Sequence, residues 1–279
     1  MRMLEIYKKS LVNSFKFKRI FPFFALYSVS SFISLLFLFP LISILPNLLT
    51  LKLTQENINL IILNFSILMI IFLIAFVFNC WFSGALIYDI WREEGFKAGL
   101  KFSKKLLTQI LSLSFVLSFI NLFLYFLENF GLILRFLVSF VFIFSFQSVI
   151  IERKDFLEAM RRSVLLVREK LLNSFFFWVS LHLIYYSILF LSFFLVILFL
   201  SPILLQIVFI HQIFSIYGEF SQAGLIQVVG LITNNFETMA IALVILSFFF
   251  SYSYAFLITA KTYYFLSLTR KKLISSKQF

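Results

Sequence analysis

Six apolar runs, each about 20 residues or longer, divide this chain, with short charged segments between them. A run of that length crosses a hydrocarbon core of about 30 Å as one α-helix. Its backbone hydrogen bonds then all close inside the segment, as hydrocarbon requires. We place spans at 20–45, 58–88, 106–127, 132–151, 171–200 and 238–260. The fold class is therefore all-α integral membrane, one polytopic domain over residues 1–279 with six transmembrane helices. Composition agrees: 62% of residues are hydrophobic and 13% charged, against about half and about a quarter in soluble domains. The second run exceeds one bilayer thickness, so it tilts or projects. Ser83-Gly84-Ala85 in it is a small-residue patch where another helix can approach closely.

The formal net charge is +12. In a soluble chain that charge would favour nucleic acid. Here 22 of the 24 Lys and Arg fall in four segments: Met1–Arg19, Asp89–Lys105, Glu152–Lys170 and the tail from Lys261. The other two are Lys52 and Arg135. Six spans put those four segments on one side, which the positive-inside rule makes cytoplasmic. We therefore expect both termini in the cytoplasm, the lipid bilayer as partner and no nucleic acid. Met1–Arg19 reads as a retained segment, because the run after it is span-length and lacks a small-residue cleavage site. The single cysteine, Cys80, lies within a span and cannot form an internal disulfide, so it reads as buried and structural.

The charged segments carry a further pattern. In Glu152–Lys170, Phe156, Met160, Val164, Val167 and Leu171 recur at helical spacing and predict one apolar stripe. Asp155 with Glu158 forms a capping box, and Glu158 is four residues from Arg162, within reach of a surface pair. Such a helix between two spans should lie at the membrane surface. Lys8-Lys9-Ser10, Lys101-Phe102-Ser103 and Arg161-Arg162-Ser163 align, each with a basic residue two ahead of Ser, and each is followed by two spans. We expect three repeats of surface helix, span, span, with the helices beginning near Glu5, Ala98 and Glu158.

Val149-Ile150-Ile151-Glu152, then Phe156-Leu157-Glu158-Ala159-Met160-Arg161-Arg162-Ser163, then an apolar span, resembles a signature of a broad prokaryotic group of six-span proteins. That group includes the membrane domain attached to some glycerophosphodiester phosphodiesterases and stand-alone relatives without assigned function. Its pattern is an acidic residue after span four, then Ala-x-x-x-Ser on a short helix; here these are Glu152, Ala159 and Ser163. The resemblance implies the six-span architecture and the plasma membrane of a prokaryote. It implies no hydrolase activity, since the catalytic domain of the fused proteins has no counterpart here.

Pro46–Asn57 and Glu128-Asn129-Phe130-Gly131 read as turns, and Pro202 should stop span five. Leu204, Leu205, Val208 and Phe209 suggest an interfacial helix. Ala223–Thr233 is too short to span, leaving re-entrant and interfacial placements of 202–237 both open. His182 reads as a hydrogen-bond donor in helix packing and His211 as an interfacial residue. Asn64, Asn79, Asn121, Gln147 and Gln206 read as interhelical amides, with a substrate path as the alternative. Arg135 should snorkel, with Glu128 near enough to neutralise it. No phosphate-binding loop, zinc-protease motif or nucleophile motif occurs, so we expect no enzyme, no cofactor and no metal. The functional reading is a non-catalytic membrane protein that organises membrane or binds lipid or a membrane-protein partner. Lys8, Lys9, Lys101, Arg161 and Arg162 would contact anionic lipid or the partner. The alternative is a permease subunit or exporter of a small molecule.

Overall fold

The computed structural model describes residues 3–49, 54–216 and 222–275. The chain forms α1 (Met3–Ser14), α2 (Phe17–Leu49), α3 (Gln55–Arg92), α4 (Phe96–Lys105), α5 (Leu107–Tyr125) and α6 (Glu128–Val141). It continues with α7 (Ser145–Ile151), α8 (Phe156–Glu169), α9 (Leu171–Ile216), α10 (Gln222–Asn234) and α11 (Phe236–Ser275). No strand occurs among the described residues. Six stretches are long and apolar enough to cross a membrane: Phe17–Leu38, Gln55–Arg92, Leu107–Tyr125, Glu128–Ile151, Leu171–Ile210 and Phe236–Thr269. The protein is an all-α, multi-pass membrane protein.

Several ends differ from the sequence reading. α2 continues past Pro40 and Pro46, so the expected loop at 46–57 shrinks, and Thr54 caps α3 by accepting the Asn57 N–H at 3.3 Å. Lys52 lies outside the described residues. Pro202 sits inside α9 and does not end it. In hydrocarbon, ending a helix orphans several backbone groups, whereas a proline removes one. The carbonyl left over is that of Leu198, and the Ser201 hydroxyl donates to it at 2.8 Å. Leu204, Leu205, Val208 and Phe209 are thus exposed positions on the same helix, not a separate interfacial one. Ala223–Thr233 falls in α10, and 217–221 lie outside the described residues. The turn before α6 is at Phe126-Leu127, and Glu128–Gly131 is already helical. Gly131 is needed there, because any Cβ would run into the Leu124 carbonyl.

By internal contacts the chain divides into two compact units, one of Met1–Phe23, Val77–Ile188 and Ser251–Phe279, the other of Phe24–Phe76 and Leu189–Phe250. The second is held by aromatic pairs. Phe24 meets Phe248 and Phe32 meets Phe236 between α2 and α11, and Phe193 meets Phe250 between α9 and α11. The first contains every site described below.

In that first unit, a short helix precedes each pair of spans: α1, α4 and α8. Each is separated from the span after it by a break, at Phe15-Lys16, Leu106 and Lys170. Ser10, Ser103 and Ser163 are fully buried, and so are Ile6, Gly99 and Ala159 one turn earlier. The α8 face that packs is therefore Ala159, Ser163, Leu166 and Val167. Of the bulky stripe expected there, Val164 and Leu171 are exposed and only Val167 is buried. A bulky apolar side chain gains little by leaving lipid for protein, whereas small residues let backbones approach. The same logic seats α4. Gly99 lies directly on the Ala85 carbonyl, Ser103 abuts Gly84, and Trp81 Nε1 donates to the Leu100 carbonyl at 3.0 Å. The small patch at 83–85 thus takes a helix, as its composition suggested. α1 packs on the last span: Asn13 Nδ2 donates to the Tyr263 hydroxyl at 2.8 Å, and Phe15 packs edge-on against Tyr252.

Candidate functional site

The five basic residues singled out from sequence occupy two kinds of environment. Lys8, Lys101 and Arg161, each two residues ahead of a buried Ser, are exposed. Lys9 is also exposed, but its Nζ lies 4.7 Å from the centre of the Tyr263 ring. Arg162 is half-buried and paired with Glu152: Nε is 3.1 Å from each carboxylate oxygen and Nη2 is 3.1 Å from Oε1. The expected Glu158–Arg162 pair does not form. Glu158 faces Lys154 at 3.6 Å instead, because Glu152 comes back over the α8 surface. The structure brings Arg161 and Arg162 together beside one surface hollow with Glu152 and Glu158, while Lys8 and Lys9 stand on α1 and Lys101 on α4. Close to Lys101, Phe102 stacks on Tyr88 at 4.4 Å and carries the Arg153 guanidinium at 5.3 Å, which ties α4 to the turn before α8.

That turn is built for the task. Asp155 caps α8 by accepting the Glu158 N–H at 2.8 Å, which is one half of the expected capping box, while the Glu158 carboxylate faces Lys154. Arg153 takes a left-handed backbone, φ 55°, and Glu93 does the same, φ 61°, at the matching place before α4. On α1, Tyr7 donates to the Phe177 carbonyl at 3.1 Å and stacks on the Phe177 ring. Burial pushes the Tyr7 phenol above its usual range, with the Ser180 hydroxyl opposing, so it stays a neutral donor.

The three signature positions all have partners. Glu152 holds Arg162, Ala159 is buried against the spans, and Ser163 bridges a gap in span four. That span is two helices, α6 and α7, with Phe142–Phe144 between them as turns. The Ser163 hydroxyl accepts the Phe144 N–H at 3.0 Å and donates to the Val141 carbonyl at 2.8 Å. One side chain on α8 thereby satisfies one backbone group on each side of the break.

Two further features lie outside these five basic residues, and of their side chains the sequence reading names only Asn121 and Gln147 as possible path residues. Arg19, in the first turn of α2, is bonded through Nε to Asp89 Oδ2 at 2.6 Å, and both side chains are almost fully buried. Asp89 Oδ1 also accepts the Gly95 N–H at 3.0 Å. Arg19 ends the first basic segment and Asp89 begins the second. Their positions flanking apolar runs allowed this pairing but could not indicate it.

The second feature is a cavity of about 250 Å³. Ser83 of α3, Asn121 of α5, Ser139 of α6, Gln147 of α7, and Tyr254 and Lys261 of α11 line it. Lys261, assigned from sequence to the tail, is inside the last span and lines this cavity. Gln147 is 2% exposed, and its Oε1 has no hydrogen-bond partner. Tyr254 receives Asn79 Nδ2 at 3.2 Å and contacts the Ser83 hydroxyl at 3.2 Å. Asn79 thus forms the interhelical bond expected of it. Asn64 and Asn121 instead bond carbonyls of their own helices, and Gln206 is exposed. His182 Nδ1 donates to the Trp178 carbonyl one turn back at 2.8 Å, so its bond is intrahelical. His211 is in α9, outside the described side chains. Arg135 lies over the Tyr125 ring at 5.5 Å rather than pairing with Glu128. Cys80 is buried and donates to Ser114 at 3.1 Å.

Comparison of the chain with protein-family models, with curated proteins and with solved structures finds no match.

Proposed function

We propose that this is a non-catalytic plasma-membrane protein whose basic face binds anionic head groups or an acidic membrane-protein partner. The observation that carries this is the shared register of the three short helices. Ser10, Ser103 and Ser163 are fully buried, while Lys8, Lys101 and Arg161, two residues earlier in each, are exposed. Three cations at equivalent places, on helices of one compact unit, suit a face that meets repeated negative charge. Each Lys or Arg near an anionic leaflet gains about 1 kcal/mol. Lys9 and Arg162, committed to Tyr263 and Glu152, contribute to packing first. We also infer that the three sets of short helix and spans are copies of one unit, that this face and both termini are cytoplasmic, and that the chain belongs with the six-span group it resembles. A second reading, a permease for a small molecule, is favoured by the cavity, whose largely apolar wall carries Gln147 and Lys261.

The test replaces Lys8, Lys101 and Arg161 with Gln. Nineteen of the 22 basic residues assigned to that side from sequence remain, enough to hold topology. We expect unchanged insertion and at least a several-fold loss of co-purifying anionic lipid or cross-linked partner. Unchanged lipid and partners would reduce the basic face to a topology signal. Uptake by liposomes holding the purified chain would favour the second reading.

A further inference from the structure

The break in span four places a polar group where a continuous helix would not need one. Phe142 and Gln147 both line the cavity, and Ser163 keeps the break closed from the opposite side. Irregular backbone at membrane depth is tolerated where it is buried in protein or lines a cavity. This break does both.

Two groups in the cavity wall have unmet requirements. Gln147 Oε1 is a buried acceptor without a donor. Such a group is unfavourable in a protein interior unless a donor meets it. Lys261 is a cation in a span, and no carboxylate among the described residues pairs with it. A ligand that suits both brings a negative charge and a hydrogen-bond donor together. The other polar groups are already engaged: Tyr254 with Asn79 and Ser83, and Ser139 as acceptor of Trp178 Nε1 at 3.3 Å. Asn121 and Ser139 are exposed, so the cavity reaches the protein surface between α5 and α6. Its 250 Å³ equals the liquid volume of on the order of eight waters. That admits a head group but not a whole lipid.

We infer that the cavity lined by Gln147 and Lys261 binds a small anionic group that also carries a hydrogen-bond donor, a hydroxyl-bearing phosphate, either as a lipid head group entering past Asn121 and Ser139 or as the free ester. Lys261 takes the phosphate charge, and a ligand hydroxyl donates to Gln147 Oε1. This goes beyond the surface reading above, since it uses none of Lys8, Lys101 or Arg161.

Trp178, bonded to Ser139 in the wall, reports on occupancy. Full-length protein in neutral detergent is titrated with short-chain phosphatidylglycerol and, separately, with glycerol 3-phosphate, following tryptophan fluorescence. Phosphatidylcholine, which lacks the hydroxyls, is the control. We expect saturable binding of one or both phosphoglycerol probes and at least tenfold weaker phosphatidylcholine binding. Binding of the lipid alone assigns the site to a head group; binding of both assigns it to the free group as well. Lys261→Met should weaken binding at least tenfold and Gln147→Leu about three- to tenfold. Asn121→Phe, at an exposed position, should close the mouth even if Lys261→Met fails to fold. The triple Gln variant of the basic face should bind these probes as the wild type does. No saturable binding of either probe overturns the inference. So does wild-type binding by both Gln147→Leu and Asn121→Phe.

Discussion

Span four and the middle of α9 handle a helix irregularity in opposite ways. α9 contains the strongest helix breaker available, Pro202, and stays helical. Span four contains neither proline nor glycine near Phe142–Phe144 and breaks there. Both leave backbone groups that hydrocarbon cannot satisfy, and both are repaired by a serine. The difference is where the serine comes from. Ser201 is next to the proline and reaches back to the Leu198 carbonyl, so the repair is local and the helix continues. Ser163 comes from another helix and bonds both sides of the gap, so the repair holds only while α8 is docked. In a membrane, a helix breaks where partners for its backbone exist, not where propensity is lowest.

The largest expected effect tests the distant repair. Ser163→Ala removes the acceptor for the Phe144 N–H and the donor to the Val141 carbonyl at once. It should cost about 2–4 kcal/mol, read as unfolding in mixed SDS micelles. A cost under about 0.5 kcal/mol would mean the break closes by itself. Next comes the charge that assists docking of α8. Glu152→Gln leaves Arg162 without its carboxylate. About a fifth of each side chain is exposed, so the loss should be about 1–2 kcal/mol rather than that of a buried pair. High salt should shrink it, and salt independence would assign the loss to packing.

Local repair should show a smaller effect with a sharper signature. Ser201→Ala orphans the Leu198 carbonyl and should cost about 1 kcal/mol. In a Pro202→Leu background that carbonyl regains a backbone donor, and the cost of Ser201→Ala should vanish. A cost that persists there would show that Ser201 does something other than compensate for the proline. Smallest is Pro202→Leu alone, expected to move stability by under about 1 kcal/mol with helix content unchanged. A large gain would mean that the proline strains α9 after all.

The signature positions show how much of the site was legible. Asp155 and Glu158 gave the start of α8 from two residue types at the right spacing, because a cap is local chemistry. The alignment of Ser10, Ser103 and Ser163 found three positions that prove equally buried. It could not say why, since the partner of Ser163 lies some 20 residues back at a gap that no residue type announces. The Arg19–Asp89 pair and the cavity wall shared by Lys261 and Gln147 likewise join chain segments far apart in sequence.

By itself the sequence determined the six spans, because hydrocarbon demands a run of apolar residues and an internally bonded backbone. It also determined the short basic helices between them and the cap on α8, which depend on neighbours a turn away. Tertiary structure decided which face of α8 is buried. Lipid and protein solvate a bulky apolar side chain about equally, so the small residues, which permit close approach, set the packing. It also decided that Pro202 is tolerated, that span four breaks, and that Lys261 belongs to a cavity instead of the tail. Each of these turns on whether a polar group finds a partner, and in a membrane protein that partner is supplied by whichever helix is packed beside it.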